Sequence, residues 1–281
     1  MKKSIFVQAR MGSSRLPGKV MADLFGRPLL ERLVERLRRS TSADQVVVLT
    51  SSAEADQAIE DLAYAMDVPV FRGDEDDVLD RYFQAAKKFQ PDAIIRVTGD
   101  CPLIDPRVID QVASFFETED RDYVSNILIP TFPDGLDVEI FRIEALESCW
   151  RNAREKYQRE HVTSYFYENP DLFRLANFRS PVDRSAMRWL VDEAPDLVFV
   201  RKVYERLYPD NATFLYADIL ALLDREPELQ TLNAHLRRNE GFFKSKDGAS
   251  AHAAEDARSG WARYIQEIMQ KKGCELYESV G

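Results

Sequence analysis

Cysteine and histidine are scarce in this 281-residue chain, with three of each. Cys101, Cys149 and Cys274 lie far apart and form no Cys-x-x-Cys pair, which argues against a disulfide framework or a structural zinc site. His161, His235 and His252 do not stand at ligand spacing, so a catalytic zinc is not expected either. A hard cation held by carboxylates, such as magnesium, stays open. Long apolar runs are missing too. Nothing approaches the ~20 residues of a membrane span. Ile5-Phe6-Val7, after Met1-Lys2-Lys3, is too short for the apolar stretch of a signal peptide. The expected location is the cytoplasm, with no membrane partner. Positive charge is in deficit: 38 basic residues stand against 48 acidic ones, a net charge of −10. That lacks the footprint of a general nucleic-acid binder, and no nucleic-acid partner is expected.

What is present is a core. Apolar residues make up 45% of the chain, and in the first half they alternate between two patterns. Residues 4–7, 45–49, 68–71 and 93–97 read as short buried strands. Residues 28–40, 53–66, 78–89 and 106–116 carry helical stripes. Strand-length apolar runs between periodic helices predict βαβ units, hence a mostly parallel α/β sheet with helices on both faces. The second half is mixed. Strands are expected at 122–125, 138–141, 173–178 and 187–191, the last ones as an antiparallel edge. Helices are expected at 142–154, 158–167, 194–207, 216–224 and 227–237. After about Glu240 the composition shifts. Residues 244–260 are polar and read as a linker or disordered stretch, followed by a short amphipathic helix over 261–272.

Ligands of open parallel sheets bind beyond the carboxyl ends of the strands. The loop after the first strand reads Arg10-Met11-Gly12-Ser13-Ser14-Arg15-Leu16-Pro17-Gly18-Lys19. Its glycines permit close backbone approach, and Arg10, Arg15 and Lys19 would offset polyphosphate charge. It is not a Walker A motif, because five residues separate Gly12 from Gly18 and Val20 follows Lys19. A Gly-x-Gly-x-x-Gly fingerprint is missing as well. The loop after the fourth strand reads Thr98-Gly99-Asp100-Cys101-Pro102-Leu103-Ile104-Asp105. A carboxylate facing bound phosphates needs a metal between them, which makes Asp100 a magnesium-ligand candidate. Asp105 before Pro106 reads as a helix N-cap, and Cys101 as a small packing residue. Asp192 also precedes a helix. It is either a second metal ligand or a cap.

These residues carry a family resemblance. The loop 10–19, Val20 and Gly26-Arg27-Pro28-Leu29-Leu30 resemble the nucleotide-binding signature of the cytidylyltransferases that activate acidic sugars, the 3-deoxy-manno-octulosonate and acylneuraminate enzymes. Arg72-Gly73-Asp74-Glu75-Asp76-Asp77-Val78-Leu79-Asp80-Arg81-Tyr82 and Thr98-Gly99-Asp100-Cys101-Pro102 look like the spore coat polysaccharide branch of that family. So do Pro133-Asp134-Gly135-Leu136-Asp137-Val138-Glu139 and Arg159-Glu160-His161-Val162-Thr163. The resemblance covers about 3–237 and implies a GT-A-like fold over a domain at 1–240, with 241–281 as a tail. It implies CTP, magnesium, a homodimer, and attack of a substrate oxygen on the α-phosphate with loss of pyrophosphate. Arg10, Arg15, Lys19 and Asp100 would be the catalytic set. Ala9, Met11, Gly12, Ser13, Thr98 and Gly99 would complete the nucleotide site, and Arg72 would lie near the cytosine. Asp100 and Asp192 would hold the metal. Glu160 and His161 would contact the acceptor. Asp134 and Asp137 would either do the same or shape the turn at 133–135. The octulosonate enzymes carry Gln before the Gly-Asp and Glu after it, where this chain has Thr98 and Cys101. Their sugar specificity therefore does not transfer.

Two other functions fit parts of the pattern. A GT-A type glycosyltransferase would use a nucleotide-sugar, although Thr98-Gly99-Asp100 replaces its usual Asp-x-Asp. A non-catalytic nucleotide-binding module would use the tail to dock a partner.

Overall fold

The computed structural model describes residues 1–247 and 257–280. Eight strands form one sheet: β1 Lys3–Gln8, β2 Gln45–Ser51, β3 Val70–Gly73, β4 Ala93–Thr98, β5 Tyr123–Ser125, β6 Glu139–Arg142, β7 Leu175–Arg179 and β8 Tyr277–Val280. Their order is β3-β2-β1-β4-β6-β5-β7-β8. Every pairing is parallel except the two made by β6. The antiparallel strand is therefore interior, not at an edge.

Eleven α-helices are described, α1 Leu29–Leu37, α2 Gln57–Ala65, α3 Val78–Phe89, α4 Pro106–Thr118, α5 Ile143–Asn152, α6 Lys156–His161, α7 Ser164–Glu168, α8 Ala194–Leu207, α9 Tyr216–Arg225, α10 Glu240–Asp247 and α11 Ala257–Lys272. Side chains of the central strands alternate between two cores, as strand geometry demands. Ile5, Val7, Ile95 and Val97 pack with apolar residues of α1, α2, α4, α8 and α9. Phe6, Val47, Leu49 and Ile94 pack with those of α3, α5, α7, α10 and α11. Helices thus cover both faces. No helix among the described residues is long and apolar enough to cross a membrane.

Five local expectations change. Residues 187–191 make no strand, only an isolated bridge between Asp134 and Arg188. Their polar groups serve a buried ion network instead of a ladder. The region 227–237 gives a 3₁₀ turn at Pro227–Thr231 rather than a helix, and beyond it the Asn233 side-chain amide donates to the Arg188 carbonyl and to Asp196. The region 53–66 begins as a 3₁₀ turn, Glu54–Asp56, and there the Asp56 carboxylate accepts from the Met11 and Ser51 amides. The stretch 158–167 breaks at Val162, whose φ is +65°. Finally, residues 244–247 belong to α10, and the polar stretch is interrupted on its far side by α11; 248–256 lie outside the described residues. Phe242, Phe243, Trp261, Ile265 and Met269 join the second core, and β8 pairs with β7. The described parts of the tail pack onto the sheet.

Candidate active site

The chain runs from β1 outward to β3 and then returns to β4 on the other side of β1. That reversal makes the crevice beyond β1 and β4 the topological switch point, the usual ligand site of such sheets. The last paired residues are Gln8 and Thr98. Gly99 then donates its amide to the Gln8 carbonyl at 2.8 Å. A Cβ on Gly99 would sit 2.7 Å from that oxygen, so glycine lets the two loops converge. Gly18, at φ +71°, turns the first loop back so that Lys19 points inward.

A cavity of about 420 Å³ opens here. The first loop contributes Ala9, Arg10, Ser13, Ser14, Arg15 and Lys19 to it, and the second Thr98, Gly99 and Asp100. Glu160, His161 and Asp192 also line it. Lys19 is the centre of its electrostatics. The buried ammonium lies 2.9 Å from Asp100 Oδ2 and 2.9 Å from Asp192 Oδ1, and Arg15 pairs with the other oxygen of Asp192. Burial works against the charge of Lys19, but the two carboxylates win and hold it above its ordinary value. Burial likewise opposes ionisation of Asp100, yet Lys19 and the Thr98 hydroxyl pull that carboxyl down to about 2. Asp192 is not spent on capping. Glu193 takes the N-cap position of α8, and its amide, like that of Asp192, donates to Asp196 Oδ2.

The anticipated residues divide. Arg10, Arg15, Lys19, Asp100, Asp192, Glu160 and His161 converge on the cavity with Ala9, Ser13, Thr98 and Gly99. Arg15 and Lys19 are already ion-paired, whereas Arg10 makes no ion pair among the described residues. Met11 and Gly12 do not line it. Met11 anchors the loop through its amide to Asp56 at 2.7 Å. Arg72 does not line it either, because its guanidinium donates to the Ser51 and Ala53 carbonyls at 2.9 and 2.7 Å and pairs with Glu60. Asp134 is buried between Arg188 Nη1 at 3.2 Å and Arg238 Nε at 3.7 Å, away from the cavity lining. Burial and Asp137 push its carboxyl up against the pull of Arg238 and Arg188. Asp137 pairs with Arg238 at 2.5 Å and faces a smaller, adjoining cavity. Asp105 caps α4 by accepting from the Arg107 amide. Cys101 is a buried packing residue whose thiol burial holds far above its ordinary value.

Several residues were not anticipated. Asp56 locks the first loop to β2. Arg81, buried on α3, lines the cavity and donates to the Asp74 carbonyl. Arg96 and Glu139 sit opposite one another in the β4–β6 register and form a buried ion pair, with Tyr123 donating to Glu139 at 2.7 Å. A charged residue inside each of two apolar strands was the available signal, since buried charges come paired.

His161, Val162 and Thr163 form a γ-turn. The Thr163 amide donates to the His161 carbonyl at 2.6 Å, and Val162 has φ +65° and ψ −55°. This is the strained form of the turn, doubly so for a β-branched residue. Such strain collects at functional sites. Burial, helped by Arg96 and opposed by Glu160, moves the His161 imidazole from 6.5 down to about 4. The unfolded chain therefore takes up this proton first as pH falls. Stability tied to the neutral imidazole is present above pH 6.5 and lost between 6.5 and 4, by about 3 kcal/mol. Urea unfolding of wild type and His161→Gln at pH 7 and pH 4.5 checks this. The wild type should lose more stability than the variant, and parallel losses would refute the assignment.

Comparison with known proteins agrees with this geometry. A family model described as cytidylyltransferase matches residues 4–246. The chain is 34% identical to the spore coat polysaccharide biosynthesis protein SpsF of Bacillus subtilis over 239 residues, 80% of this chain and 95% of that one. It is 35% identical to a 3-deoxy-manno-octulosonate cytidylyltransferase of an Anaeromyxobacter species over 116 residues, 41% of this chain and 46% of that one. The solved structure of a cytidylyltransferase from Leptospira borgpetersenii superposes with a TM-score of 0.79 at 34% identity, covering 82% of this chain and 97% of that one. The chain belongs to the cytidylyltransferase family, and its activity is that of a nucleotidyltransferase. That membership favours nucleotidyl transfer over the glycosyltransferase and non-catalytic readings.

Proposed function

We propose that this enzyme transfers CMP from CTP to a hydroxyl of an acidic sugar of the ulosonic type, or of a related hydroxy acid, for surface polysaccharide synthesis. The observation that carries the reading is the cavity at the switch point, where Lys19 and Arg15 pair with Asp100 and Asp192 and Arg10 of the same glycine-bearing loop joins the lining. The names of the relatives support the acceptor class. The acceptor oxygen attacks the α-phosphorus, the bond to the bridging β-phosphate oxygen breaks, and pyrophosphate leaves. Positioning and neutralised charge supply most of what such a transfer needs. Arg10, Arg15 and Lys19 face the triphosphate. Asp100 and Asp192 fit a magnesium ion, because both already converge on one cationic point and magnesium is commonly held by one or two carboxylates plus phosphate oxygens. Bound there, the metal would neutralise phosphate charge. We assign the sheet to the GT-A-like class and take the enzyme to act as a cytoplasmic homodimer.

Nucleotide-dependent thermal stabilisation with magnesium tests the first half. CTP at about 100 times its Kd should stabilise the fold by about 2.7 kcal/mol, and UTP, TTP, ATP, GTP and nucleotide-sugars by much less. Pyrophosphate release with 3-deoxy-manno-octulosonate, N-acetylneuraminate and glycerate tests the second. A preference for a nucleotide-sugar, or for none of these nucleotides, would overturn the reading.

A further inference from the structure

A second cavity of about 170 Å³ adjoins the first and shares Thr98 and His161 with it. Its lining has a polar set, Arg96, Asp137 and Glu139, and an aromatic set, Tyr167, Phe242 and Trp261. The cations near it are committed: Arg96 to Glu139 and to Gln8 at 3.2 Å, Arg238 to Asp137. A carboxylate entering this space would meet Asp137 and Glu139 with no uncommitted cation among the described lining residues. Hydroxyls suit it better. Carboxylate oxygens accept from them, and His161 Nε2, at the boundary between the cavities, is buried without a hydrogen-bond partner.

Two of the three aromatic rings come from the tail. Phe242 and Trp261 meet edge to face at 5.2 Å, and Phe242 lies 5.2 Å from the His161 ring. The indole N–H of Trp261 is spent on the Ile127 carbonyl at 2.7 Å, so this side chain offers ring surface rather than a hydrogen bond. Glu168 pins the wall in place: Lys246 of α10 approaches it at 2.9 Å, and Tyr264 of α11 donates to it. Trp261 stands beyond residue 246, where the family match ends.

We propose that this cavity holds the uncharged, hydroxylated end of the acceptor, packed against Phe242 and Trp261, and that the C-terminal segment thereby sets acceptor length. The inference rests on the nucleotidyl-transfer reading above, with the reacting end of the acceptor in the larger cavity beside the triphosphate.

The test is Trp261→Leu in the full chain, which keeps an apolar side chain and removes the ring. With 3-deoxy-manno-octulosonate, KM should rise about tenfold, an aromatic contact of ordinary strength. KM for CTP should stay within about twofold, and glycerate, too short to reach the wall, should bind equally well to both proteins. Thermal stabilisation by CTP verifies folding, and Phe242→Leu replaces the first variant if that check fails. An unchanged octulosonate KM would overturn the proposal while nucleotidyl transfer stands. So would equal losses for glycerate, or calorimetry showing no octulosonate binding to CTP-saturated wild type. Absence of CTP stabilisation in the wild type is the separate result that would remove the underlying reading.

Discussion

Replacing Lys19 with alanine should lower kcat/KM by about 10²–10³-fold, the cost of deleting one preorganised charge contact to a developing oxyanion. Lys19 is buried, and its ammonium is shared by Asp100 and Asp192 at 2.9 Å each. Without it, two carboxylates face the triphosphate with one cation fewer, and Asp192 keeps only Arg15 and, at 3.9 Å, Arg188 among the described residues. Stabilisation by CTP should disappear with activity, because ground-state binding of the triphosphate depends on the same charge. Lys19→Arg separates charge from shape. The planar fork does not match one compact ammonium between two carboxylates, so this variant should recover CTP binding more than turnover. A melting curve in the absence of nucleotide verifies folding. Wild-type turnover in Lys19→Ala would sink the assigned role.

Much of this site is legible in the chain because its parts follow strand ends. Arg10, Arg15, Lys19 and Asp100 stand just after two apolar runs, and a parallel sheet delivers such loops to one edge. Asp192 is ambiguous in sequence, since an acidic residue before a helix caps as readily as it ligates. The cap reading falls only when Glu193 is seen to take the N-cap and Lys19 to reach Asp192. What the chain hides is long-range polar pairing. Nothing local connects Arg96 with Glu139, Met11 with Asp56, or Trp261 with Ile127. Arg72 misleads for the opposite reason: its motif context suggests a ligand contact, while its guanidinium is consumed by backbone carbonyls at the end of β2. Composition alone also hides the ends of the polar stretch: residues 244–247 and 257–260 continue helices, next to Phe242 and Trp261, which each bury a large ring.

The segment 187–191 shows why periodicity alone misassigns an element that chemistry has claimed. Arg188 is buried, with Nε and Nη2 on Asp196 at 2.9 and 3.0 Å and Nη1 on Asp134 at 3.2 Å. Asp196 in turn accepts from the amides of Asp192 and Glu193 and from Asn233. Arg188→Met should therefore destabilise the fold by about 3–5 kcal/mol, because it leaves two buried carboxylates short of a cation. At this chain length that amounts to a fall in Tm of about 6–20 °C by calorimetry. A loss under about 1 kcal/mol would mean that Arg238 alone compensates Asp134 and that the network is dispensable. Arg188→Met combined with Asp196→Leu removes both ends of the pair and should regain part of the lost Tm, since an apolar replacement of a buried pair is often neutral. It should not regain activity. The Asp196 carboxylate holds the amides that set Asp192 against Lys19, so a chain that is stable but lacks Asp196 keeps its fold and loses the alignment of its second carboxylate.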